Sequence, residues 1–375
     1  MRFNISSRLV FQLSNILLMG FQSFLVPLLV GFSGYGKAML YLAPVYLYQS
    51  IFEPVFQGVY GKRLETKGEP CKRFDVDFRV FFMSLLGFVV FTFSWFCLFD
   101  EVLPVVLFFS IGILYLLSTN LQVFLLFEDQ YLFVGSSVFI SALVYVLAYF
   151  ISGLGADFII LGNLFFFASL SVFLSLRLIW MRATVSFSDR FNWKDVLSHA
   201  STRFAYIFSG NGLLIVFGLA GHPSAQLGAF KFSLSLMNAG RYFNPVPLVS
   251  LQKVISGFVA DADAKNLFVI LKTFSIFSLA YGVALFFGWW LYCFLLKNVV
   301  CFSYMLLLTP VYLLIQPASY YLAVRGYAVQ QFLSAVVVSF IASAISFYDM
   351  WLAFLFMIVA IILVVVLLIA RVNRS

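Results

Sequence analysis

Apolar residues run along this chain in long blocks, and polar or charged residues collect in the short segments between them. Each block is about 20 residues long, the length that an α-helix needs to cross the hydrocarbon core of a membrane. The blocks define twelve spans: 9–31, 38–60, 79–99, 103–127, 131–153, 158–180, 203–221, 228–251, 268–296, 302–324, 329–347 and 350–370. The pattern predicts an all-α, polytopic membrane protein. It lacks the alternation of apolar and polar residues that is typical of a membrane β-barrel.

The composition supports this interpretation and excludes several classes of protein. Hydrophobic residues make up 63% of the 375 positions and charged residues 10%, whereas a soluble domain has about 45–50% and about 25%. A soluble enzyme, a disordered chain and a disulfide-stapled secreted domain are therefore excluded. The four cysteines and two histidines show no metal-ligand spacing, so we expect no metal site and no cofactor.

The net charge of +8 is distributed as in a membrane protein rather than a nucleic-acid-binding protein. Nineteen of the 23 basic residues fall in the terminal segments and in alternate connections, and the opposite connections hold only Lys37 and Lys297. Because basic residues collect on the cytoplasmic side of membrane proteins, the distribution predicts that both termini are cytoplasmic. We expect no nucleic-acid partner.

The spans fall into two halves around the central connection 181–202. We predict an N-terminal six-helix bundle at 1–180 and a C-terminal six-helix bundle at 203–375. Residues 52–62 and 243–253 share Phe, Pro, Val and a terminal Lys, 191 positions apart. Since six spans return the chain to the same side, the halves would form a parallel repeat about an axis along the membrane normal.

A family resemblance follows from these features. The Gly34-Tyr35-Gly36 segment leads into an apolar second span, the Leu227-Gly228-Ala229-Phe230 segment opens the matching span of the second half, and a short link joins the halves. In these respects the chain resembles the multidrug/oligosaccharidyl-lipid/polysaccharide exporter superfamily, in particular Wzx-type O-antigen flippases. The resemblance covers nearly the whole chain in architecture.

The resemblance implies a function and a location. A protein of this kind would move a polyprenyl-pyrophosphate-linked oligosaccharide from the inner to the outer leaflet of a bacterial cytoplasmic membrane by alternating access. Its partners would be the lipid-linked oligosaccharide and membrane lipids, with a polysaccharide polymerase and a chain-length regulator as further candidates. We therefore expect a secondary transporter rather than an enzyme.

Charged residues inside the spans are the candidate site residues, because each costs about 2.5–3.5 kcal/mol at a span centre. Arg241 lies twelve residues before Lys253 and is expected near mid-bilayer, whereas Lys231 is expected near the outer end of span eight. Lys231 and Asn238 share a helical stripe that Arg241 adjoins. The stripe either lines a cationic cavity that binds substrate, or Arg241 pairs with a buried carboxylate that holds helices together.

Glu53 is the one carboxylate expected well inside a span, in the half-chain counterpart of the span that carries Arg241. Two hypotheses remain open for it. Glu53 either forms an ion pair with Arg241 between the bundles, or it is a protonatable coupling site, because a desolvated carboxylate has a raised pKa.

Two other functions remain as alternatives. A multidrug exporter of the same superfamily would favour an apolar pocket with buried carboxylates over the cationic stripe expected here. An O-antigen polymerase or membrane glycosyltransferase would need an extended outer loop with catalytic residues, and the predicted outer connections are short. An anionic lipid-linked substrate is therefore the interpretation that the sequence favours.

Overall fold

The computed structural model describes residues 5–67, 73–76, 105–182, 184–187, 208–243, 264–296 and 303–372. The chain forms two compact units, Met1–Val196 and Leu197–Ser375. The described residues are helical apart from turns and one pair of short strands. Predicted span 79–99 lies outside the described residues.

The first unit contains six described α-helices, a π-helical turn and two strands. In chain order they are α1 (Ile5–Gly20), the first π-turn (Phe21–Leu25), α2 (Val26–Lys67), β1 (Arg73–Val76), α3 (Val105–Phe127), α4 (Tyr131–Val146), α5 (Ala148–Ser152), α6 (Ala156–Trp180) and β2 (Thr184–Phe187). Helix α1 packs on α4, and α6 packs on α2, α3 and α4.

Polar side chains join α6 to its neighbours inside the first unit. The Tyr46 hydroxyl of α2 donates a hydrogen bond to Asn163 Oδ1 at 2.7 Å, and Asn163 Nδ2 donates to the Ile159 carbonyl. At one end of the unit, Arg177 Nη2 donates to Gln130 Oε1 at 2.6 Å. The Arg177 guanidinium also lies over the Trp180 ring, at 4.2 Å from its centroid.

The first two predicted spans differ from the observed helices. The π-turn precedes Pro27, whose ring displaces the carbonyl four residues earlier and whose nitrogen cannot donate a hydrogen bond. The chain then breaks at Gly31, with φ 80° and ψ 154°, a conformation that favours glycine. The predicted loop at Gly34-Tyr35-Gly36 is helical instead, so the change of direction comes three residues earlier than expected.

The strands β1 and β2 form a parallel pair that the sequence analysis did not predict. Their register places Arg73 opposite Thr184 and Asp75 opposite Ser186. Both strands alternate polar and apolar residues, Arg-Phe-Asp-Val and Thr-Val-Ser-Phe, which is the two-residue period of a strand. The pair joins the connection after α2 to the start of the segment predicted to link the halves.

The second unit contains seven described α-helices and a second π-helical turn. They are the second π-turn (Phe208–Gly212), α7 (Leu213–Leu219), α8 (Ser224–Phe243), α9 (Ala264–Leu296), α10 (Ser303–Leu306), α11 (Thr309–Val324), α12 (Ala328–Ser346) and α13 (Met350–Val372). Helix α8 packs on α7, α9 and α11, while α12 packs on α7, α11 and α13.

Aromatic side chains form part of the core of the second unit. The fully buried Phe230 of α8 meets Phe217 of α7 edge-on, with ring centroids 5.0 Å apart, and meets Phe354 of α13 in the same way at 5.4 Å. Phe232 contacts Trp289 of α9 at 5.4 Å. These contacts surround α8 with helices on several sides.

Six helical segments in the described part of the chain are long and apolar enough to cross a membrane: Val26–Leu47, Tyr131–Ser152, Ala156–Trp180, Leu271–Leu291, Ala328–Ser346 and Met350–Val372. Five of them coincide with predicted spans, so membrane-spanning helices are confirmed there in length and composition. The total of twelve spans stays a prediction.

Candidate functional site

Most residues of helix α8 are buried, and the residues of its polar stripe are more exposed than their neighbours. Every residue from Leu227 to Gly240 is buried except Lys231 and Asn238, which are half-buried. Arg241, directly after this segment, is half-buried as well. Three of the four candidate site residues, Lys231, Asn238 and Arg241, are therefore partly exposed. The other residues of this segment are buried.

Lys231 is bound by a residue of the second π-turn. Its Nζ atom donates a hydrogen bond to Asn211 Oδ1 at 2.6 Å. Helix α8 begins at Ser224, four residues before the predicted start of span eight at 228, and the position of Lys231 near the outer end of a span stays a prediction. Lys231 therefore lies seven residues into the helix, about 10 Å along its axis at 1.5 Å per residue. The early start follows the Gly221-His222-Pro223 turn, where the Pro223 carbonyl accepts from the amides of Gln226 and Leu227.

The two glycines that flank Asn211 in the second π-turn are both closely packed. A Cβ atom on Gly210 would meet Leu234 Cδ2 of α8 at 2.9 Å, and one on Gly212 would meet the Phe208 ring at 2.5 Å. Only residues without a side chain fit these two positions without displacing a neighbour. Gly210 therefore lets the turn approach α8 closely beside the contact of Asn211 with Lys231, and Gly212 leaves room for the Phe208 ring within the turn.

Asn238 and Arg241 continue the stripe along α8. Asn238 Nδ2 donates to the Leu234 carbonyl of its own helix at 3.0 Å. Arg241 lies 17 residues after Ser224, about 25 Å along the axis, and its Nη2 atom is buried. Lys231 and Arg241 are thus about 15 Å apart along one helix.

The end of α8 that carries Arg241 is fixed by close packing. A Cβ atom on Gly240 would meet the Tyr281 ring at 2.6 Å and Leu313 Cδ1 at 2.8 Å. The Tyr281 hydroxyl of α9 donates to the Leu236 carbonyl of α8 at 2.6 Å. Helices α9 and α11 therefore hold this part of α8 at short range.

The charges of the second unit are mostly positive. Among its described residues the acidic side chains are limited to Asp349, whose Oδ1 atom accepts from the amides of Trp351 and Leu352 at the start of α13. Helix α8 carries two basic residues, Lys231 and Arg241, in its polar stripe. Such an excess of cations favours an anionic ligand over a cationic one.

The fourth candidate, Glu53, lies on the backbone of α2 in the first unit, and its side chain lies outside the described residues. The Glu53–Arg241 ion pair and the coupling role of Glu53 therefore stay predictions. Among the residues that the structure describes, no group of three metal-ligating side chains comes together.

Asn211 is the residue that the sequence-based choice of site residues left out. The signal that could have found Asn211 is a polar residue between two glycines, Gly210 and Gly212, inside an apolar span. The bond to Lys231 could not be predicted, because it depends on the widened backbone of the π-turn. π-Helical turns occur frequently at functional sites.

Comparisons with known proteins leave the family open. No protein-family model, curated protein or solved structure matches the chain. The resemblance to the polysaccharide flippases therefore stays a prediction that rests on the sequence features described above.

Proposed function

We propose that this chain is a secondary transporter of a bacterial cytoplasmic membrane that flips a polyprenyl-pyrophosphate-linked oligosaccharide. The observation that carries the proposal is the polar stripe of α8, where Lys231 and Asn238 are the accessible positions of an otherwise buried segment. A helix that faced only lipid would expose apolar side chains at such positions, whereas a helix beside a hydrated cavity exposes polar ones.

The chemistry of the stripe suits an anionic headgroup with a sugar attached. A diphosphate cannot cross hydrocarbon without compensation, and ammonium and guanidinium groups form charge-assisted hydrogen bonds to its oxygens. Asn238 lies between Lys231 and Arg241 along α8, and its side-chain amide is a suitable hydrogen-bonding group for sugar hydroxyls. The polyprenyl tail needs no polar site, because it can remain among the lipid chains.

Similar packing in the two units supports the alternating-access part of the proposal. We match helices α1, α2, α3, α4 and α6 of the first unit with α7, α8, α11, α12 and α13 of the second, in that order. The α1–α4 contact then corresponds to the α7–α12 contact, and the α4–α6 contact corresponds to the α12–α13 contact. Likewise, the α3–α6 contact corresponds to the α11–α13 contact, and the α2–α3 contact corresponds to the α8–α11 contact. We infer two related bundles, as repeat-built transporters require, within the twelve-span arrangement expected from the sequence.

A flipping assay with charge-neutral variants tests this function. The protein is reconstituted into liposomes that contain a polyprenyl-pyrophosphate-linked fluorescent sugar, and external dithionite quenches the label in the outer leaflet. We expect wild type to accelerate complete quenching relative to protein-free liposomes. Lys231→Gln and Arg241→Gln should each slow flipping about ten- to a hundredfold, since a hydrogen bond to a charged group contributes about 1.5–3 kcal/mol.

Lys272→Gln is the matched control, because Lys272 is an exposed lysine on α9 of the same unit. This variant should flip at the wild-type rate. A wild-type protein that leaves the rate of protein-free liposomes unchanged would contradict the proposed function. Equal rates for all three variants and wild type would remove the stripe from the mechanism.

A further inference from the structure

The bond between Lys231 and Asn211 joins the cationic stripe to a distorted segment of helix. Lys231 belongs to the regular helix α8, whereas Asn211 belongs to the second π-turn, and the atoms are 2.6 Å apart. A half-buried lysine in a membrane protein is costly to place. Its contact with the π-turn therefore links the charge of the stripe to the conformation of that turn.

We propose that Asn211 is a resting acceptor for the Lys231 amine, which a diphosphate headgroup replaces on binding, so that binding releases the π-turn. This inference rests on the proposed function and assigns a role to Asn211 within the same site. Asn211 acts as a positioning residue, and the headgroup itself is bound by Lys231.

The geometry of α8 explains why the amine must leave Asn211. Side chains on an α-helix lean towards its N-terminus, so Arg241 leans towards Lys231, while Lys231 leans away from Arg241. The two residues are ten positions apart, about 15 Å along the axis. To share one diphosphate with Arg241, the Lys231 amine has to swing along α8 towards Arg241, which breaks its hydrogen bond to Asn211.

The relative strength of the two acceptors makes the exchange favourable. The amide oxygen of Asn211 is neutral, whereas diphosphate oxygens are charged, and ionised acceptors form hydrogen bonds roughly twice as strong. The amide is thus strong enough to hold the amine when the site is empty and weak enough to be replaced. Release of Asn211 removes a restraint between α8 and the π-turn.

Two substitutions of Asn211 should have opposite effects on the affinity for a diphosphate amphiphile. Asn211→Ala removes the competing acceptor and should tighten farnesyl pyrophosphate binding about three- to tenfold, in line with the loss of one hydrogen bond. Asn211→Asp supplies a charged competitor and should weaken binding about tenfold or more. Both variants should flip the fluorescent lipid more slowly than wild type, because binding no longer changes the restraint on the π-turn in the same way. Affinities are measured by titration of the full-length purified protein.

Asn15 provides the matched control. It lies in the first helix of the first unit, is buried, and donates to the Phe11 carbonyl. Asn15→Ala and Asn15→Asp should leave the affinity within about twofold of wild type, since Asn15 contacts a backbone carbonyl of its own helix. In a Lys231→Gln background, Asn211→Ala should no longer change the affinity.

The outcomes separate this inference from the proposed function. If both Asn211 variants weaken binding alike, or neither changes it while Lys231→Gln weakens it, Asn211 only shapes the turn and the inference is wrong. If Lys231→Gln binds farnesyl pyrophosphate as tightly as wild type, both the cationic site and the inference are wrong.

Discussion

Single glycines determine how closely the helices of each unit approach one another. A Cβ atom on Gly135 of α4 would lie 2.8 Å from Phe11 Cα in α1. Because that neighbour is backbone, it cannot rotate away as the end of a long side chain can. The α1–α4 contact therefore requires glycine at this position.

Gly135→Ala tests this requirement. We expect a loss of about 1–3 kcal/mol of stability, the usual cost of overpacking a close contact, seen as a lower unfolding temperature of the purified protein in detergent. Gly288→Ala in α9 is the control, because nothing lies within 4 Å of its Cβ position. Equal unfolding temperatures for the two variants would contradict the close approach of α1 and α4.

The polar stripe of α8 shows which residue positions could be predicted from the sequence and which could not. The polar stripe was predicted because Lys231 and Asn238 are seven residues apart, close to two helical turns. The first residue of α8 was placed four residues too late, since it depends on the turn at Pro223. The partner of Lys231 was not predicted either, because it comes from a different helix through a non-standard turn.

Among the elements, long apolar helices were the most predictable part of the chain. Predicted spans 131–153, 158–180 and 350–370 agree with helical segments to within about two residues, which is close to the usual uncertainty of helix ends. Interruptions inside helices were harder to predict. Gly31 is one of several glycines in its segment, and nothing local distinguishes the one that takes a positive φ.

The register of the strand pair β1–β2 predicts which residues can be cross-linked. In a cysteine-free background, Asp75→Cys with Ser186→Cys should form an intramolecular disulfide, because these residues are paired. Asp75→Cys with Val185→Cys should not, because a slip of one residue turns the side chains to opposite faces. The disulfide is detected by mass spectrometry of peptides after mild oxidation. Cross-linking of the slipped pair alone would show a different register.

At the scale of the whole molecule, the distribution of basic residues predicts one orientation in the membrane. Leu154, Tyr348 and Arg325 are exposed positions in or beside turns between helices. The first two belong to connections poor in basic residues, and Arg325 belongs to a connection expected inside. Their placement on opposite sides of the membrane follows from the positive-inside rule.

Labelling of single cysteines in intact cells tests the orientation. A membrane-impermeant maleimide should label Leu154→Cys and Tyr348→Cys, and should label Arg325→Cys only after the membrane has been permeabilised. Total labelling in lysed cells controls for expression of each variant. Labelling of Arg325→Cys in intact cells, with protection of the other two, would reverse the orientation and place the termini outside.

The strand pair also has a consequence for the order in which the protein is made. Thr184 is synthesised 111 residues after its partner Arg73, by which time the ribosome has already produced all the described helices of the first unit. The strand pair can therefore form only after those helices have been synthesised. Pairing of β1 with β2 therefore belongs to a late step in the formation of the first unit.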